Sequence, residues 1–216
     1  MEQSKANLSL RKDEEIGYVR WKVHVDRMLS LLALILLSPL LISIAVAIKL
    51  SDWRAPVIFK QQRVGKKGEK FHMYKFRSMR TDAEAELEKY LKQNEIEGAM
   101  FKMKKDPRVT KIGRLLRKTS LDELPQLFNV LKGEMSLVGP RPPLPREVAV
   151  YTPRDQKRLL VTPGCTGLWQ VSGRNELSFD QMVELDLYYI KHLSLKQDFK
   201  ILCKTVLVLL FPKGAY

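Results

Sequence analysis

Apolar positions are spread unevenly along the chain. From Met28 to Ile48 they run for 21 residues without a charge (MLSLLALILLSPLLISIAVAI), whereas most of the chain beyond Ile48 mixes apolar with charged positions. As one helix this run would be about 31 Å long, just enough to cross the hydrocarbon of a bilayer. Ser38-Pro39 lies near its middle, and a proline there removes a backbone hydrogen bond, clashes with the preceding turn and bends the helix. Ser38 is placed to bond back to a preceding carbonyl at that break. The two limbs are then about 10–11 residues each, roughly 16 Å, half the hydrocarbon thickness. The run is too long and too far from the N-terminus for an ordinary signal peptide. Basic residues flank both ends, among them Arg20, Lys22 and Arg27 before it and Lys49, Arg54, Lys60 and Arg63 after it, so the charge asymmetry that orients a spanning helix is missing. A helix-break-helix that enters and leaves on one face accounts for both flanks. A kinked helix that spans the bilayer is the alternative.

The rest reads as one domain. Residues 57–79 look like two short strands around a turn from Gly65 to Gly68. Residues 81–93 carry Ala83, Leu87, Tyr90 and Leu91 at helical spacing, and from Ile112 the pattern is helical as far as Gly133, a C-terminal stop. Prolines cluster from Pro140 to Pro145, and PGCTG and SGR mark loops between residues 163 and 174. FDQMVELDLYYIKHL and DFKILCKTVLVLLF predict two more helices, the last apolar enough to lie at a membrane interface. The predicted class is α+β, mainly helical: a short N-terminal segment (1–27), a re-entrant membrane helix (28–48) and a compact domain (49–216) with a small β element and interfacial amphipathic helices. Segment and domain are both expected on the cytosolic face.

Charge narrows the partners. Thirty-eight basic side chains against 24 acidic ones leave +14, an imbalance that attracts an anionic ligand or surface. The basic residues are not interleaved with a nucleic-acid motif, so no nucleic acid is expected. Two cysteines, Cys165 and Cys203, and three histidines show no metal-ligand spacing, which suits a reduced, cytosol-facing chain without structural zinc.

Against this background Asp122-Glu123, in TSLDELP (119–125), stand out. Ser120-Leu121-Asp122-Glu123 fits a capping box, with Ser120 as cap and Glu123 reaching back to its amide, although Pro125 sits awkwardly for that register. Two adjacent carboxylates near a helix start are equally a place to hold Mg²⁺ beside a diphosphate, and both readings stay open. Arg114, Arg117 and Lys118 immediately precede the acids and can hold an anion near them; a solvated basic helix face is the alternative. Lys75 and Arg77 share one face of the second strand and can converge on a phosphate, or simply be solvated. Arg141, between Pro140 and Pro142, is either a preorganised phosphate ligand or part of a rigid surface turn.

KFRSM (75–79), DPRVTKIGRLLRKTSLDELPQLFNVLKGEMSLVGPRP (106–142) and PGCTGLWQVSGRN (163–175), behind an apolar segment with a central Ser-Pro, together resemble the bacterial sugar transferase family, the monotopic polyprenyl-phosphate phosphoglycosyl transferases. The resemblance runs from about residue 21 to the C-terminus. Cys165 stands where the family usually has an aliphatic residue. The resemblance is to the small catalytic-unit form, which is expected to do without the multi-span N-terminal domain of larger relatives.

The resemblance implies transfer of a sugar 1-phosphate from a UDP-sugar to undecaprenyl phosphate at the bacterial inner membrane, with release of UMP. Asp122 would be the nucleophile, and Glu123, with Asp122 beside it, would hold Mg²⁺. Arg117, Arg141, Lys75 and Arg77 would bind phosphates, and Ser38 and Pro39 would make the membrane break. Membrane lipid and downstream glycosyltransferases are the further partners implied, and a homodimer is compatible with it. The C-terminal part resembles members that start exopolysaccharide or O-antigen repeats with galactose or glucose 1-phosphate, with N-acetylated and deoxyamino sugars open as well. A membrane-attached module that binds polyanions without chemistry is the rival reading.

Overall fold

A helix that meets a proline must give up one backbone bond, and the chain does so where the sequence suggests. The structure, a computed structural model, describes residues 2–90, 103, 106–173 and 177–210. Helices α1 (Glu2–Leu36) and α2 (Ser38–Ser51) are separated by Leu37 alone, with a bend of 63° between them. Pro39 has no N–H to offer the carbonyl of Ile35, and the Ser38 hydroxyl donates to that carbonyl instead, at 2.8 Å. The first limb is not a separate half of the apolar run: it continues upstream as one 35-residue helix through the charged residues assigned to the N-terminal segment. Helix α2, with 14 residues, is about 21 Å long, short of a bilayer core. Among the described residues no single helix is long and apolar enough to cross a membrane; the bent pair meets that requirement only together.

Strands β1 (Ile58–Val64) and β2 (Lys70–Phe76) form the expected antiparallel hairpin, in register from Ile58 opposite Phe76 to Val64 opposite Lys70. The helical spacing of 81–93 yields a turn followed by the short α3 (Leu87–Tyr90), and residues 91–93 lie outside the described residues. The helix expected from Ile112 to Gly133 is three pieces. Helix α4 (Lys111–Lys118) is capped by Thr110, whose hydroxyl accepts from Gly113 N at 3.0 Å. Ser120 then turns left-handed (φ 56°), Leu121–Glu123 make one 3-10 turn, and Pro125 sits where α5 (Gln126–Lys132) starts, so its missing N–H costs nothing. Gly133, at φ 83°, ends α5 as predicted.

Strand β3 (Ser136–Val138) pairs in parallel with β4 (Gly164–Thr166), so PGCTG, read as a loop, contains a strand. Three residues are too few for an alternation to register, and a Cβ on Gly164 would stand 2.0 Å from Gly139 N, so this pairing rests on close backbone approach. Cys165 packs with Met73, Val130 and Met135 as a small hydrophobe. Short helices α6 (Pro145–Val148) and α7 (Pro153–Gln156) lead to α8 (Phe179–Lys191) and α9 (Leu195–Leu210), the two helices predicted near the C-terminus. Arg174 of SGR, Asn175 of the family motif and residues 211–216 lie outside the described residues. Among the described residues the architecture is thus mostly helical with two small sheets.

Buried apolar and polar contacts join the bent helices to the domain. Ile44 and Ile48 of α2 are buried in a core with Phe76 and Leu116, while Ile42, Val46 and Leu50 on the opposite face are 64%, 52% and 83% exposed. On α1, Tyr18 OH donates to Asp198 Oδ2 at 2.6 Å, Lys22 pairs with Asp198 and with Asp26, and Asp26 accepts from Ser136 Oγ and Leu137 N. Tyr189 OH donates to Asp198 Oδ1 at 2.8 Å, so one buried carboxylate ties α1, α8 and α9. Removing one partner from such a network strands the others. Asp198→Ala is expected to lower stability by about 3–5 kcal/mol, read as a fall in unfolding temperature of the detergent-solubilised chain.

Candidate active site

The two acids sit on a turn whose apolar residues fix it. Leu121 and Leu124 pack against the core of Ile44, Ile48, Phe76 and Leu116, which leaves Asp122 and Glu123 directed between β2, α4 and the proline turn. Asp122 is 6% exposed. The capping box does not form: Ser120 is left-handed and makes no side-chain cap, and only the backbone bond from Glu123 N to Ser120 O remains, at 3.2 Å. Glu123 Oε1 instead accepts from Lys75 Nζ at 2.6 Å and lies 3.9 Å from Arg141 Nη1. A charged amine offers this carboxylate more than its own chain's amide.

Each cation arrives from a different element. Lys75 projects from β2. Arg117, in the last turn of α4, donates from Nε to Ser78 Oγ at 2.9 Å, and its charge acts on Asp122. The approach of α4 to residue 78 is closer than a side chain would allow, because a Cβ on Gly113 would stand 1.9 Å from Ser78 O. Arg117 lies one turn beyond Gly113 and is carried inward by that contact. Arg77 does not converge with Lys75: β2 ends at Phe76, and Arg77 donates from Nε to Pro56 O at 2.8 Å with its guanidinium 5.5 Å from the Phe59 ring. Arg63, which reads in the sequence only as part of a basic flank, is 6% exposed in β1 and is felt by both Lys75 and Glu123. Nothing in residues 58–64 marks it except a cation within an otherwise strand-like run.

The environment drives the two carboxyls apart. Burial raises Asp122, and the neighbouring Glu123 raises it further, against the opposing pull of Lys75 and Arg117. Burial would raise Glu123 as well, but Lys75, Arg141 and Arg63 together outweigh it and hold Glu123 at about 2. Lys75 and Arg117 are each lowered, chiefly by burial, and Arg63 is lowered to about 9 by burial and by Arg141. Neighbouring carboxyls with diverging affinities for protons are what differentiated chemical roles require. Lys75, Arg117 and Arg141 against Asp122 and Glu123 leave a formal excess of one positive charge, room for an anion in a partly desolvated site.

Among the described residues no three His, Cys, Asp or Glu side chains converge as metal ligands. A divalent cation at this site would therefore draw on Asp122 and Glu123 and complete its shell with ligand phosphate and water oxygens. Mg²⁺ commonly binds in that way, so the donor set fits it.

The description "bacterial sugar transferase" belongs to the family model that matches residues 18–212. The chain is 53% identical over 161 residues to galactosyl transferase CpsE of Streptococcus agalactiae serotype III and 47% identical over 195 residues to an undecaprenyl-phosphate galactose phosphotransferase of Salmonella typhimurium. These matches cover 74% and 88% of this chain and 36% and 40% of those proteins, so the chain spans about two fifths of the length of these relatives. The exopolysaccharide production protein ExoY of Rhizobium meliloti is 40% identical over 212 residues, covering 94% of this chain and 93% of the relative.

The geometry sets two expected outcomes. Gly113→Ala drives a methyl into a backbone carbonyl that cannot turn aside, and a loss of about 1–3 kcal/mol or more is expected by thermal unfolding. Glu123 titrates near 2 in the folded chain against an ordinary 4.5, so its contribution is complete above pH 4.5 and is lost as pH falls toward 2. Glu123→Gln is expected to flatten the fall of unfolding temperature over that acid range, seen by subtracting its profile from that of the parent.

Proposed function

Because this chain belongs to the bacterial sugar transferase family, we propose that it moves a sugar 1-phosphate from a UDP-sugar to undecaprenyl phosphate, the membrane step that begins a polysaccharide or glycoconjugate. The observation that carries the reading is Asp122: a buried carboxylate facing Lys75 and Arg117, beside an acid of much lower proton affinity.

Two displacements account for the arrangement. An Asp122 oxygen attacks the β-phosphorus of the UDP-sugar; the bond from that phosphorus to the bridging oxygen breaks, and UMP departs with the electron pair. The sugar phosphate is then held as an acyl phosphate on Asp122. A phosphate oxygen of undecaprenyl phosphate attacks the same phosphorus, the bond to the Asp122 oxygen breaks, and the carboxylate is restored. Lys75, Arg117 and Arg141 neutralise phosphate charge as it shifts. Mg²⁺, held by Glu123 with Asp122 beside it, would screen the diphosphate and stabilise the departing UMP. Partial burial of Asp122 limits attack by water on the acyl phosphate.

One substrate is a soluble nucleotide and the other ends a long lipid, so the site has to lie at headgroup level. The 63° bend supports a re-entrant reading of α1 and α2, with both ends on the cytosolic face of the inner membrane. Trp21 and Trp53, 49% and 73% exposed near the two ends of the apolar run, suit the two interfacial anchors of such a loop. Phe199, Val206, Leu207 and Leu210, exposed on α9, suit a helix lying against the same surface. The name of the full-length relative from Rhizobium meliloti supports a place in exopolysaccharide production, and the names of the longer relatives point to galactose first.

The test is UMP release by purified protein given undecaprenyl phosphate, Mg²⁺ and a panel of UDP-sugars. Asp122→Asn should lower the rate by about three orders of magnitude or more, and a sugar-phosphate adduct of Asp122 should be trapped by rapid quench and mass spectrometry. Undiminished UMP release by Asp122→Asn would overturn the mechanism, and no UMP from any UDP-sugar would favour a binding module instead.

A further inference from the structure

The turn that carries Arg141 is tied along its length. Pro140 O accepts from Gly164 N at 2.8 Å, Pro142 O from Arg63 Nη1 at 2.8 Å and Pro143 O from Val64 N at 2.9 Å, while Leu144 N donates to Glu147 Oε2 at 2.9 Å. The tie at Pro142, the residue next to Arg141, comes from a charged side chain rather than from backbone. Prolines at 140, 142 and 143 remove donors and fix φ, so the direction of the Arg141 side chain depends on where these carbonyls are held.

Arg63 is an unusual group to spend on such a bond. It is 6% exposed, its Nε and Nη2 donate to Gln61 Oε1 at 3.2 and 2.6 Å, and among the described residues no carboxylate lies within 4 Å of it. A buried guanidinium without a touching carboxylate is costly. The charges that reach it without contact are Arg141, Glu147, Glu123 and Arg146, which places it in the field of the acid and cation cluster. Lysine would reproduce the arrangement only in part, because a single ammonium nitrogen replaces the three separate guanidinium nitrogens that here hold the Gln61 amide through two bonds and the Pro142 carbonyl through a third.

We propose that Arg63 is a positioning residue of this site: resting on the transferase reading, it holds the Pro142 carbonyl so that Arg141 faces a phosphate bound beside Glu123. It does not touch the phosphate itself and acts through Arg141. Removing it leaves the turn attached at both ends but lets its centre move, so the effect falls on anion binding and disappears when Arg141 is already gone.

The probe is inorganic pyrophosphate, titrated calorimetrically into the detergent-solubilised full chain. Arg63→Met should weaken binding by about tenfold or more, the scale on which supporting hydrogen bonds behind a ligand act, and Arg63→Lys should restore only part of it. Arg141→Met should weaken binding at least as much, and the double variant should bind no worse than Arg141→Met alone. Gln61→Met, which leaves the charge and removes its anchor, should lie between parent and Arg63→Met, and it decides the matter if Arg63→Met does not fold. Parent-like binding by Arg63→Met or Gln61→Met, or losses that multiply in the double variant, would overturn the role of Arg63 and leave the transferase reading standing. Failure of the parent chain to bind pyrophosphate, with no UMP release from UDP-sugars, would remove both.

Discussion

Leu121 and Leu124 stand on either side of the two acids and share a core with Ile44 and Ile48 of α2. The apolar helix and the acid-bearing turn therefore have no independent positions. Each isoleucine, fully buried, contributes about 1.5–3 kcal/mol, and each also fixes how far the turn stands from the exposed apolar face of α2. The same core takes Phe76 from β2 and Leu116 from α4, the residues that neighbour Lys75 and Arg117 in sequence. Packing thus brings together the cations that the acids face, before any electrostatic attraction acts.

The divergence of the two carboxyls follows from that packing. Asp122 faces inward, where lost hydration opposes its charge; Glu123 lies nearer the opening, where Lys75 and Arg141 reach it. One residue of separation is enough because a 3-10 turn points neighbouring side chains in different directions. The left-handed Ser120 makes this possible by ending α4 and redirecting the chain before the acids.

Long or strongly patterned features were legible in the sequence: the apolar run with its Ser-Pro break, the hairpin around Gly65–Gly68, the stop at Gly133 and the two C-terminal helices. Asp122 and Glu123 were legible as an anomaly of charge, and Lys75, Arg117 and Arg141 as cations near them in motif order. What escaped had no local signature. The strand at Gly164–Thr166 is too short to alternate, and the break at Ser120 depends on a backbone conformation that serine does not announce. The capping box was a correct pattern overridden by Lys75, 48 residues away, and Arg63 joins the site through strand pairing that brings β1 beside β2. Arg77 misled because its guanidinium is taken up by the Pro56 carbonyl and the Phe59 ring rather than by the acids.

Helix α1 runs unbroken from Glu2 to Leu36, and Asp26 within it is fastened to Ser136 and Leu137 of the domain. Ten residues of rigid helix separate that fastening from the bend, about 15 Å at the helical rise. The helix is in effect a ruler, clamped at one mark. Its apolar tip can neither be drawn in nor pushed out without unwinding backbone bonds or opening the Lys22 and Asp26 contacts, so reach from the domain is a length built into the fold.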